Sequence, residues 1–171
     1  MLAGGYYVVI RYRIVVLTRY NARMDKNLTA VDYQSLAEFR HQIRRYLRFS
    51  EGVVRNSGLE ARQYQLLLSL KGLAPGIRPR IAEVADRLQI QHHSAVELVN
   101  RLESGGFVRR ERGKQDRREV LLTLTVRGEK VLRELVLHHR NELMTRGPAL
   151  IEALRAVLQD RNRPGPRRKR K

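Results

Sequence analysis

The sequence of 171 residues contains no cysteine. That absence excludes a disulfide framework, a cysteine-ligated zinc or iron–sulfur site, a thiol nucleophile and sensing by cysteine oxidation. Acidic residues are few, 17 against 35 Lys and Arg, and residues 1–23 and 161–171 hold none. Long apolar runs are also missing. In the first twenty residues the clean stretches Tyr6–Ile10 and Ile14–Leu17 are split by Arg11 and Arg13, too short to span a bilayer. With the cations late and inside the run, the segment also lacks the order of a signal peptide. No Gly-rich phosphate loop, H-E-x-x-H or Ser/His/Asp spacing occurs, so catalysis is not expected.

What is present is a globular composition, 42% hydrophobic, with a formal net charge of +18. The charge points to a polyanionic partner, nucleic acid ahead of an anionic membrane. Its distribution is uneven. Four Arg in residues 1–23 and seven cations in residues 161–171 leave a central body of only +7. The run MDKNLTAVDYQSL from Met24 reads as a soluble start, so residues 1–25 are expected to be an irregular extension outside the fold. The tail 161–171, ending PGPRRKRK, reads as disordered, adding salt-sensitive attraction to phosphates or serving only as a solvated terminus.

Between the ends the apolar period is helical. Leu36, Phe39, Ile43, Tyr46, Leu47, Ser50, Val53 and Val54 form one stripe, predicting a helix over 34–56 that Asn56-Ser57-Gly58 stops. A second helix is expected over 60–73 with Tyr64, Leu67, Leu68 and Leu70 inward. Gly72, Pro75, Gly76 and Pro79 make a loop. A short helix over 80–88 places Ile81, Val84, Ala85 and Leu88 at i, i+3, i+4 and i+7. Gln89-Ile90-Gln91 then leads to a helix over 92–104 with Ala95, Leu98, Val99 and Leu102 inward, closed by Gly105-Gly106. Two amphipathic helices joined by so short a turn form a helix-turn-helix.

After Gly106 the period changes to two. Residues 107–112 and 119–125 read as the strands of a hairpin, with 113–116 as its turn. Thr125 is the expected N-cap of a long helix with Val131, Leu132, Leu135, Val136, His139 and Leu143 on its stripe. Gly147-Pro148 is expected to break that helix before a terminal one over 149–160. The fold class is therefore mainly α with a small β-hairpin wing. A winged helix-turn-helix (59–125) is flanked by long dimerisation helices (33–56 and 126–160). Those flanks carry more apolar surface than one chain can cover, which implies a homodimer with intertwined first and last helices.

The run PRIAEVADRLQIQHHSAVELVNRLESGGFVRRERGKQDRREVLLTLTVRGEKVL resembles the MarR-type (multiple antibiotic resistance regulator) transcription factors. Its most telling pieces are SAVELVNRLESGGFVRR, DRREVLLTLTVRG and the L-T-x-x-G that opens the long helix, and the resemblance covers about residues 33–158. It implies that the start of the 92–104 helix lies in a major groove. His92, His93, Ser94 and Asn100 would then meet bases or phosphates, and Val96 a thymine methyl. Arg101 and Arg80 would hold phosphates. At the wing, Arg112, Lys114 and Arg117 suit a narrow minor groove, and Asp116 with Arg118 corresponds to the family's Asp-x-Arg pair, the Asp bracing an Arg. The bland alternatives are that His92 and His93 cap the helix, Val96 packs on a neighbour, and the hairpin is solvated with a surface ion pair.

The resemblance further implies a small aromatic effector near Tyr46, Phe49 and Tyr64, which could equally be plain core. Adjacent histidines on a helix point about 100° apart, so neither His92-His93 nor His138-His139 is a ready chelate. His41 with His139 is the remaining pairing, and His139 on an apolar stripe reads better as an interface histidine. No metal and no cofactor are expected. The partners expected are double-stranded DNA, a second copy of the chain and the possible effector, with no membrane and a cytoplasmic location. The function expected is a homodimeric, sequence-specific regulator, a repressor, on a pseudo-palindromic operator with half-sites about 10 bp apart. The alternatives are a non-specific nucleoid-type DNA binder and a dimeric protein-interaction module.

Overall fold

The computed structural model describes residues 28–113, 116 and 118–159. The expectations for residues 1–25, for the tail 161–171 and for Lys114 and Arg117 lie outside the described residues. The element order is α1 (Ala30–Asn56), α2 (Ala61–Lys71), α3 (Ile81–Leu88), α4 (His92–Ser104), β1 (Val108–Arg112), β2 (Val120–Leu124) and α5 (Val126–Gln159).

Helix α1 starts earlier than its apolar stripe because Thr29 and Asp32 form a capping box. The Thr29 N–H donates to Asp32 Oδ2 at 2.6 Å and the Asp32 N–H to Thr29 Oγ1 at 3.4 Å. Two otherwise unsatisfied donors of the first turn are thereby used. The other end of α4 is closed by Gly106 at φ 70. There the Phe107 N–H reaches the Leu102 carbonyl and the Gly106 N–H that of Glu103, both at 2.9 Å. This Schellman arrangement turns the chain from helix into strand and drops Phe107 into the core.

The core lies where α2, α3, α4 and the hairpin meet. Leu66, Leu67, Val84, Val99 and Leu102 are fully buried, and Leu122 brings the wing onto them. Each such side chain stabilises by roughly 1.5–3 kcal/mol on leaving water. Strands β1 and β2 are antiparallel, pairing Val108 with Leu124, Arg110 with Leu122 and Arg112 with Val120. The Leu122 N–H also donates to the Pro79 carbonyl at 2.8 Å, tying the loop before α3 to the base of the wing.

Helix α5 leaves this lobe through Leu132 and Leu135 and packs along α1. It is one helix from Val126 to Gln159 with Pro148 inside it. The expected break at Gly147-Pro148 therefore does not occur. Proline forfeits one intrahelical bond at a cost of about 3 kcal/mol. Packing of this stretch against α1, where Gly147 and Leu150 face Gln42 and Tyr46, holds it helical.

Two buried-face expectations also shift. Leu68 is 41% exposed while Leu66 is fully buried, because α2 is enclosed on several sides rather than along one stripe. Leu36 and Leu47 stand about half exposed on α1, as do Leu137, Ile151 and Leu158 on α5. One copy of the chain does not cover them.

Candidate nucleic-acid interface

Helices α3 and α4 are joined at Gln89, a non-glycine residue at φ 53 and ψ 43. The Ile90 N–H bonds the Ala85 carbonyl and the Gln89 N–H that of Asp86, each at 3.0 Å. This left-handed residue sets the sharp turn from which α4 projects. Ala95, Leu98, Val99 and Leu102 anchor α4 in the core. That leaves His92, His93, Glu97, Asn100 and Arg101 exposed on its outer face, with Ser94 and Val96 half-buried at its edges.

The structure gives several of these residues protein partners. Arg101 Nη1 lies 3.5 Å from Glu60 Oε2, at the start of α2. Arg80 and Arg78 both clasp Glu119, whose side chain is almost buried, so the loop before α3 is bolted to the foot of β2. Asn100 Oδ1 accepts from Arg110 Nη2 at 2.6 Å, and Glu103 binds both the guanidinium and the backbone N–H of Arg110. Neither Arg78, Glu119, Glu103 nor Arg110 was singled out from the sequence. The available signal for Arg110 is the alternation of β1, which puts it on the same side as buried Val108 and so beside α4.

At the wing, Arg112 and Arg118 are exposed. Among the described residues the partner of Asp116 is a backbone group and not the arginine side chain that the resemblance implies. Asp116 Oδ1 accepts the backbone N–H of Arg118 at 2.9 Å and so shapes the turn. A carboxylate two residues before an N–H commonly closes such a turn on itself.

The three aromatics expected near an effector are brought together around His139. Tyr64 stacks on its imidazole at 4.6 Å and 13°, while Tyr46 and Phe49 meet it edge-on at 6.2 and 6.0 Å. Its ring nitrogens lie 2.6 Å from the Leu135 carbonyl and 2.7 Å from Ser50 Oγ. His139 is thus buried within its own chain, between α1, α2 and α5, and its contacts are intramolecular. Burial raises the Tyr64 phenol from 10.0 to about 12, with Tyr46 adding to the effect. Tyr46 is raised by burial and then by the Glu142 carboxylate. His41 is exposed and does not join His139. Among the described residues no group of three His, Cys, Asp or Glu side chains gathers as a metal site. No helix among them is long and apolar enough to cross a membrane.

A short helix, a left-handed turn, an outward-facing second helix and a basic hairpin define a winged helix-turn-helix. Residues 57–119, which hold α2, α3, α4 and the first strand of the wing, match the profile of the MarR family. Over those residues the chain is similar to the MarR family.

Solved structures agree in fold. AbsC, a MarR family transcriptional regulator from Streptomyces coelicolor, superposes with a TM-score of 0.62 at 22% identity, over 80% of this chain and 93% of that one. BpsR of Bordetella bronchiseptica, described with regulation of its DNA binding by 6-hydroxynicotinic acid, gives 0.54 at 22% identity over 71% and 87%. A mutant MepR of S. aureus bound to an oligodeoxyribonucleotide gives 0.55 at 19% identity over 78% and 96%. No functionally curated protein matches the chain.

Proposed function

We propose that this protein is a sequence-specific double-stranded DNA-binding transcriptional regulator that acts as a homodimer. The observation that carries the reading is the outer face of α4. It is fixed from behind by four core residues and flanked by the arginines of the wing, a shape that fits a major groove with the hairpin at the adjoining minor groove. His92, His93, Ser94, Val96 and Asn100 are then the base-facing set. Arg80, Arg101, Arg112 and Arg118, with Lys114 and Arg117 from the sequence, supply phosphate and minor-groove contacts, and Asp116 supports the turn.

The half-exposed leucines of α1 and α5 supply the apolar surface for a second copy. Two-fold symmetry would present two α4 helices to a pseudo-palindromic operator, and binding there would repress by occupying it. The aromatic cage of Tyr46, Phe49 and Tyr64 lies at the joint between arm and lobe, where an aromatic effector competing with His139 would alter the spacing of the two helices. The regulation of BpsR by 6-hydroxynicotinic acid supports that kind of control. An effector weakens DNA binding only by preferring the wrongly spaced conformation.

The test is a fluorescence-anisotropy titration at near-physiological salt, comparing DNA from upstream of the protein's own gene with a shuffled duplex of equal composition. A preference of about 10³-fold or more is the expected result. Equal, salt-sensitive binding to both would show a nucleoid-type binder instead. Sedimentation of the free protein as a monomer at micromolar concentration would overturn the homodimer.

A further inference from the structure

An asparagine free to turn its amide is suited to adenine, its oxygen accepting from N6 and its NH2 donating to N7. Asn100 is not free. A guanidinium carries only donors, so the bond from Arg110 Nη2, at 2.6 Å, fixes which end of the amide is oxygen and takes one of that oxygen's two lone pairs. Arg110 is itself fixed. Glu103, one helical turn beyond Asn100, binds its guanidinium and accepts its backbone N–H at 3.0 Å. The Arg110 side chain is only 27% exposed, so this clamp is set before any DNA arrives. Among the described residues the Asn100 NH2 group has no partner, and the residue is exposed on the outer face of α4.

We propose that Asn100, oriented by Arg110 and Glu103, is a guanine-reading residue in the major groove. The inference rests on α4 being the DNA-reading helix, and it goes beyond that reading by assigning the base. With one lone pair held by Arg110 and that cation beside it, the amide favours a base edge that accepts over one that donates. Guanine presents two adjacent acceptors, O6 and N7, whereas adenine presents one acceptor and the N6 donor. The N6 donor would meet an oxygen already shared with a cation, whereas O6 of guanine is drawn toward that cation. Arg110 and Glu103 act through Asn100 and are positioning residues.

The experiment is selection of binding sites from a random duplex library by the full chain, alongside Asn100→Ala and Arg110→Met. Wild type should select guanine at one position of each half-site. Asn100→Ala should lose that preference by about tenfold or more at that position alone. Arg110→Met, which releases the amide, should move the same position toward adenine, a change that mere loosening of the fold would not produce. If Arg110→Met fails to fold, Glu103→Gln must move that position in the same direction.

The proposal is overturned if the position lost in Asn100→Ala is adenine in wild type, if no position is lost, or if the releasing variant keeps guanine. A selected motif indifferent to Asn100 defeats the proposal alone. Failure of wild type to select any motif defeats the regulator reading with it.

Discussion

Gly128 lies against the carbonyl of Phe107 so closely that a Cβ at residue 128 would stand 2.0 Å from that oxygen. The contact explains the L-T-x-x-G pattern. Thr125 donates its own N–H to the Phe107 carbonyl at 3.0 Å and its hydroxyl to the Gly106 carbonyl at 2.6 Å, while Oγ1 caps the Gly128 N–H at 3.0 Å. Arg127 completes the joint, its guanidinium 4.6 Å from the centre of the Phe107 ring. Helix α5 is thereby seated directly on the junction of α4 and β1. Gly128→Ala must push α5 off that carbonyl and should destabilise by on the order of 2–4 kcal/mol. Urea unfolding checks this; a loss below about 0.5 kcal/mol would show that the junction yields without cost.

Gln89 presents the opposite case. It holds a left-handed conformation that glycine adopts without strain and other L-residues do not. Its side chain is exposed, so removing it forfeits little packing. Gln89→Gly should therefore stabilise the fold by about 0.5–1 kcal/mol, the relief of strain outweighing the entropy glycine loses on folding. A lower melting temperature for the variant would instead give the glutamine side chain a role in the turn.

The helix-turn-helix was legible because its information is local. Ile81, Val84, Ala85 and Leu88, then Ala95, Leu98, Val99 and Leu102, repeat at helical steps, and Gly106 marks the end of α4 with its positive φ. The continuity of α5 was not legible, since Gly147 and Pro148 are local breakers and only packing against α1 overrides them. The reading face of α4 was legible as a set of exposed positions. Its wiring was not. The bonds from Arg110 to Asn100 and from Arg80 to Glu119 join residues on different elements, ten and thirty-nine positions apart. Similarly, periodicity placed His139 on the inner stripe of α5, but not under the ring of Tyr64.

The Tyr64–His139 stack gives alkaline unfolding a defined sign. The Tyr64 phenol is raised from 10.0 to about 12 by burial, so the folded state keeps its proton where the unfolded chain has lost it. The unfolded state then binds fewer protons, and stability must fall as pH rises. The stabilisation is complete below pH 10 and is lost through pH 12, amounting to on the order of 2 kcal/mol. Tyr64→Phe should flatten that decline, and phenolate absorbance should show one fewer late-titrating tyrosine. An unchanged alkaline decline in Tyr64→Phe would move the effect to other groups.

Glu119 sets how much charge the lobe offers to DNA. Its nearly buried carboxylate takes up Arg80, one of the arginines assigned to phosphates, together with Arg78. Arg112 on β1 is exposed and has no acidic partner among the described residues. The two arginines should therefore respond differently. Arg112→Ala should make the slope of log K against log salt shallower by about one, the counterion release of a single phosphate contact. Arg80→Ala should change it by less, because Glu119 already neutralises that guanidinium. Glu119→Gln removes the neutralising charge, so it should steepen the slope by about one while lowering the melting temperature. Should Glu119→Gln leave the slope unaltered, Arg80 does not face a phosphate, and its task is to fasten the loop before α3 to the wing.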